Sequence, residues 1–302
     1  MEQFDEYGFP VVYPPELLNK MRSQLRISEE EFRLLHQCFD AANNLYATIP
    51  LRELYGICCR YLPSLSQDDF LAVTEVISHE KCNHYAIISG TIYHPDSPSG
   101  DPMNQELVAE HLYCLNDDHY YDVVTQQKDK PWYIPGCEEF SKYTDAFYME
   151  ATPQQQALTR YLQNTQRKLH CPPAEVVEEL SLHFRGDHDL QNAISDGQRL
   201  GIRFQNQQDF RTFISLLLDL NHHTRCYAHR GHTPAELGLP PLNVDKVLKS
   251  VSYDNNYIDP LEKINHMLRA KSHAPSTTSG NPARNVPCPC GSGRKYKNCC
   301  GK

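Results

Sequence analysis

Four cysteines close the chain in the run Cys288-Pro-Cys290-Gly291-Ser292-Gly293-Arg294-Lys295-Tyr296-Lys297-Asn298-Cys299-Cys300-Gly301-Lys302. Cysteine supplies a thiolate, and a set of thiolates is what zinc takes in closed, tetrahedral structural sites. The run is fifteen residues long and carries almost no apolar core. A bound metal must therefore provide the free energy that orders it. Structural zinc supplies about 10–16 kcal/mol in zinc-finger peptides, enough for a segment of this size. Gly291 and Gly293 let the backbone wrap closely around the sulfurs. Arg294, Lys295 and Lys297 reduce the negative charge that clustered thiolates would carry.

A second concentration of chemical groups lies at His222, His223, Cys226, His229 and His232, interleaved with Arg225 and Arg230. Such density allows a metal site, or a hydrolase in which His229 or His232 is the general base. The spacing argues against both. Adjacent histidines point in different directions on a helix, and no carboxylate stands at a ligand spacing such as H-E-x-x-H. Thr233-Pro234-Ala235-Glu236 has the pattern of a capping box, so this segment reads as a polar surface loop leading into a helix. His183, Asp187, His188 and Asp189 form a further polar group around an interhelical turn at Gly186. There is no phosphate-cradling GxxxxGK[ST] loop, no G-x-S-x-G elbow and no glycine-rich dinucleotide fingerprint. No catalytic residue is assigned.

These groups must be positioned by the rest of a 302-residue chain, 40% hydrophobic and 22% charged, which suits a globular protein. No run approaches the length of a membrane-spanning helix, and the acidic start MEQFDEYGFP lacks the features of a signal peptide, so the expected location is the cytoplasm without membrane insertion. The other eight of the twelve cysteines are scattered and read as reduced thiols, Cys58-Cys59 included, because that pair falls in an apolar run. Charge is unequally divided. Of the 29 Lys and Arg, six lie from Lys271 onward, where there is no acid. Residues 1–270 thus hold 23 basic and 38 acidic groups, a net of −15 within a chain of −9. Only the tail is suited to approach a polyanion such as ribosomal RNA.

Periodicity predicts mainly helices. Residues 1–27 read as largely extended. Ser28 with Glu31 caps a helix bearing Phe32, Leu35, Phe39 and Ala42. Pro50 opens a second that Pro63 stops, and Ser66 with Asp69 caps a third. Tyr85 to Tyr93 reads as a strand, kinked at Gly90, and residues 104–115 as a short helix. The aromatic stretch 117–135 is either a loop or strand pair lining a groove, or core filling. Helices follow at Pro153–Gln166, Pro173–Phe184, 189–200, Gln207–Leu220 and from Asp259 to Leu268. The segment 271–287, rich in Ser, Thr, Pro and Gly, predicts a flexible linker. The expected class is mainly α (α+β): a multi-helix body over 1–270 with a small β element, the linker, and a zinc knuckle over 288–302.

The run CPCGSGRKYKNCCGK resembles the SEC-C motif, the zinc-binding tail of the SecA preprotein translocase that also ends many other bacterial proteins. The resemblance implies Zn²⁺ as cofactor, with Cys288, Cys290, Cys299 and Cys300 as its ligands; the last position is commonly His in the translocase. It also implies a docking role, because that tail touches the SecB chaperone and the ribosome. A partner would meet Arg294, Lys295, Tyr296 and Lys297. The segment from Asn221 to Leu237 is similar to an uncharacterised helical domain found upstream of SEC-C tails in Firmicutes-type proteins. Three readings follow: a bacterial adaptor docking by its knuckle on a chaperone, translocase or ribosome; a hydrolase-type enzyme using the 222–232 loop, with the knuckle as a targeting tag; and an RNA binder working through the basic tail.

Overall fold

The computed structural model describes residues 9–81, 83–89, 100–114, 117–166, 168–186, 190–251 and 253. The chain divides into two compact units, Met1–Asn255 and Asn256–Lys302, and the described residues all lie in the first. Their order is α1 (Pro15–Arg22), α2 (Glu29–Tyr46), β1 (Thr48–Pro50), α3 (Leu51–Tyr61), α4 (Gln67–Ser78), β2 (Tyr85–Ser89), β3 (Gln105–Ala109), α5 (Glu110–Cys114), α6 (Asp117–Gln127), α7 (Cys137–Lys142), α8 (Pro153–Thr165), α9 (Pro173–Arg185), α10 (Leu190–Arg199), α11 (Gln207–His222) and α12 (Val244–Val247). The fold is mainly α with a small β element. Among the described residues no helix is long and apolar enough to cross a membrane. The helix expected from Asp259, the linker 271–287 and the knuckle 288–302 lie outside the described residues.

Local chemistry explains the helix starts. Ser28 and Glu31 form a complete capping box at α2, as Thr152 and Gln155 do at α8. Ser66 accepts from the backbone N–H of Asp69 at α4. Such caps satisfy amide donors that the first turn leaves free, each worth about 1 kcal/mol. The N-terminal segment departs from its extended reading, because Pro15 is the first residue of α1 and Leu18 and Met21 pack on the core. Proline is compatible with that position because its missing N–H would be unpaired there anyway.

The three strands form one antiparallel sheet in the order β1-β3-β2, with Ile49 and Ile87 both opposite Leu107. The helix expected over 104–115 is therefore two elements, β3 followed by α5. Pairing of Gln105–Ala109 with strands on both sides outweighs a weak local helix preference. One sheet face sends Ile49, Ile87 and Leu107 into a core with Leu35, Phe39, Leu54, Phe70 and Ile77. The other face packs Ile88 and Val108 against Leu112, Tyr120 and Val123 of α5 and α6. Successive strand residues point to opposite faces, so one short sheet serves both layers. The stretch 117–135 is helix α6 and then an extended segment whose Trp132 and Tyr133 pack on the first core. Core filling is the reading that holds.

The second half is a helical bundle. Leu158 and Leu162 of α8, Val176, Leu180 and Phe184 of α9, Ile194 of α10, and Phe213, Ile214 and Leu217 of α11 share one core. Arg185, at the end of α9, ties this bundle to the first half. Its two terminal nitrogens donate to the carbonyls of Ala146, at 2.5 Å, and Asn44, at 2.6 Å.

Candidate functional site

The predicted zinc ligands Cys288, Cys290, Cys299 and Cys300, and the predicted partner residues Arg294, Lys295, Tyr296 and Lys297, lie outside the described residues. Among the described residues, no group of three or more His, Cys, Asp and Glu side chains could hold a metal ion. Residues 222–232, considered for a second metal site, supply no such group among the described residues.

That segment is folded inward rather than lying as a surface loop. Cys226, Ala228, His229 and Thr233 are buried. The backbone coils on itself: the N–H groups of His229 and Gly231 both donate to the Cys226 carbonyl, and Cys226 N–H donates to the His232 carbonyl. Arg230 takes the left-handed conformation at φ 50° and Gly231 follows at φ 80°. A Cβ on Gly231 would sit 3.0 Å from both Leu45 and Tyr46, so the close approach of this coil to α2 requires glycine. The expected helix at Thr233 is a single turn. Its capping box forms, with Glu236 N–H donating to Thr233 Oγ1 and Thr233 N–H to Glu236 Oε2, both at 3.1 Å. The chain then turns away, because Leu239 N–H donates to the Pro234 carbonyl and Gly238 has a positive φ.

Arg225 is the centre of the segment. Its Nε donates to Glu150 at 2.7 Å, and its two terminal nitrogens grip Glu236 at 2.7 and 3.0 Å. Its guanidinium lies over the Tyr133 ring at 3.4 Å, a cation–π arrangement. Burial works against the charge on Arg225, but the hydrogen-bonded carboxylates of Glu236 and Glu150 overcome it and raise its pKa. Against the same opposing effect of burial, the bonds from Arg225 and the Thr233 N–H hold Glu236 below the usual carboxylate range. Arg230 repeats the motif, stacking over Trp132 at 4.5 Å and donating to the Lys130 carbonyl. Local periodicity carries no sign of this knot, because its carboxylates come from residues 75 and 11 positions away.

The histidines are spread over different tasks. His223 Nδ1 meets Asp219 at 3.1 Å, while His232 Nδ1 meets Glu236 at 3.3 Å and its ring stands edge-on to Tyr133. His222 is set at right angles to His223, and burial, then the neighbouring imidazole, lowers its pKa. Cys226 Sγ donates to the Gly186 carbonyl at 3.0 Å. His183, expected near a turn, bonds Asp196 of α10 at 2.7 Å; Asp187, His188 and Asp189 lie outside the described residues.

Comparison with known proteins bears on the C-terminal run. The SEC-C motif family matches residues 284–302. The translocase subunit SecA of a Nitratiruptor species is 71% identical over 28 residues, covering 9% of this chain and 3% of that protein. The same subunit of a Geobacter species is 61% identical over 33 residues, covering 11% and 3%. That of Halothermothrix orenii is 39% identical over 67 residues, covering 22% and 7%. The chain thus spans a small fraction of these relatives' length. No solved structure matches it. The chain carries a SEC-C motif at residues 284–302, after a mainly helical body.

Proposed function

We propose that the protein is a zinc-binding interaction protein of the bacterial cytoplasm, whose C-terminal knuckle docks on a protein partner in translation, secretion or protein quality control. The match of the SEC-C motif to residues 284–302 carries this reading. The donor set fits the metal. Cys288, Cys290, Cys299 and Cys300 offer four thiolates, the closed sulfur set of structural zinc. Zinc would supply ordering free energy and no reaction step. Arg294, Lys295, Tyr296 and Lys297 are consecutive and cannot all face inward. Tyr296 would anchor a partner and the cations would steer it toward an acidic protein surface or ribosomal RNA. The net of −15 over residues 1–270 disfavours a wider nucleic-acid surface.

Two measurements test the reading. Elemental analysis should find about one zinc per chain, the stoichiometry of one four-thiolate site, and Cys299→Ser with Cys300→Ser should remove it. Unchanged zinc in the double variant would refute the ligand assignment. Affinity purification with and without residues 284–302 should recover a partner only with the tail. Charge reversal of Lys295 and Lys297 should weaken that association while zinc stays bound, and His229→Ala with His232→Ala should leave it intact. The reverse pattern would move the functional centre to the 222–232 segment.

A further inference from the structure

A cleft of about 400 Å³ opens beside the junction of the two halves of the helical body. Nothing in the docking reading uses it. Its walls come from separate parts of the chain: Asn44 of α2, His84 before β2, Glu110 and His111 of α5, Arg185 of α9 and Tyr227. The volume falls in the range of small-molecule sites. Arg185 also borders a second, much tighter polar cavity of about 20 Å³, room for roughly one water.

Arg185 is half-buried, and its described partners are two uncharged carbonyls. No described carboxylate forms an ion pair with it, whereas Arg225 holds two. Burial pulls the Arg185 pKa down, and Tyr143, Asp145 and Tyr227 only partly offset this. A cation removed from water without a paired anion is costly, and a bound anion would relieve that cost. The amide orientations around it are determined by their bonds. Asn44 Nδ2 donates to the Tyr143 carbonyl at 2.8 Å, so Asn44 Oδ1 must be the acceptor, and it receives Asn43 Nδ2 at 3.1 Å. Asn44 is thereby held rigidly, and with it the carbonyl that grips Arg185.

The rest of the cleft adds donors. The His111 ring lies 5.6 Å from that of Tyr227. Gly186 leaves room for the Tyr227 hydroxyl, which would stand 2.5 Å from any Cβ placed there. The one described acid, Glu110, is 3.5 Å from His84 Nδ1. We infer that this cleft binds a small oxyanion of the phosphate type, held by Arg185 together with the imidazole and phenol groups around it. A planar carboxylate is best matched by a free guanidinium fork. Here both terminal nitrogens already donate to carbonyls, which breaks the fork and leaves single N–H donors. Donors arriving from several elements suit an ion whose oxygens point in several directions.

The full-length protein should bind inorganic phosphate in calorimetric titration, and phosphate should raise its melting temperature above the value in chloride of equal ionic strength. Sulfate should act similarly and acetate should not. Arg185→Gln should weaken phosphate binding about tenfold or more, the scale of losing a charged donor. Because Arg185 also joins the two halves, His111→Ala is the companion variant. His111 is exposed, so this variant should melt like the parent in chloride and bind phosphate severalfold more weakly. Three results would overturn the inference: no saturable binding by the parent, an equal response to acetate, or a phosphate response unchanged in both variants. The last is what a contact confined to the basic tail would give.

Discussion

Arg225 reaches three groups that are distant in sequence, and its removal tests how much a single side chain organises. Its side chain is 13% exposed, and it neutralises Glu150 and Glu236 while covering Tyr133. Arg225→Ala leaves two carboxylates without their cation. Breaking a buried pair in this way costs roughly 3–5 kcal/mol. The lower end is expected here, because Glu236 is 39% exposed and solvent screens it. Urea unfolding of variant and parent measures the difference. Arg225→Lys should recover part of it only, since an ammonium cannot make the two-point grip on Glu236. Equal stability of Arg225→Ala and the parent would mean that this knot contributes nothing to folding.

Between elements, His36 acts as a charged clasp. Its Nδ1 meets Asp40 one turn along α2 at 3.1 Å, and its Nε2 meets Glu80, just beyond α4, at 2.8 Å. The hydrogen bonds to Asp40 and then Glu80 raise its pKa to about 10, against the opposing effect of burial. In the unfolded chain the value is about 6.5. The folded state therefore binds the proton more tightly. The contribution is fully present below pH about 6.5 and is lost as pH rises toward about 10. Urea unfolding from pH 6 to 10 should show the parent losing stability across this window. His36→Gln should start less stable at pH 6 and vary less. A parent and variant with parallel pH curves would show that the clasp does not form. The same pair of elements also reveals where local signals compete: α2 and α4 carry their own caps and apolar stripes, whereas β3 exists because β1 and β2 flank it.

For the whole molecule, the tail and the body are expected to be separable. Residues 271–287 have the composition of a linker, with no apolar period to pack, and the zinc site proposed beyond them supplies its own ordering free energy. Truncation before Asn285 should leave the melting temperature of the body within about 2 °C of the parent, the shift that a loss of 1 kcal/mol gives a domain of this size. A drop of several degrees, read by calorimetry, would mean that the knuckle supports the body and would count against a docking role. The mainly α class was legible from residue spacing alone, because helical periodicity and capping boxes are written within four or so neighbouring residues. So was the SEC-C run, whose motif is contiguous and needs no fold to be read. Other features were decided only by tertiary structure: the strand at Gln105–Ala109, the inward coil at 226–231, the grip of Arg225 on Glu150, and the cleft at Arg185. Each depends on partners many positions away in the chain. Pairing energy between distant segments leaves no period in the local sequence, so only the packed chain brings those groups together.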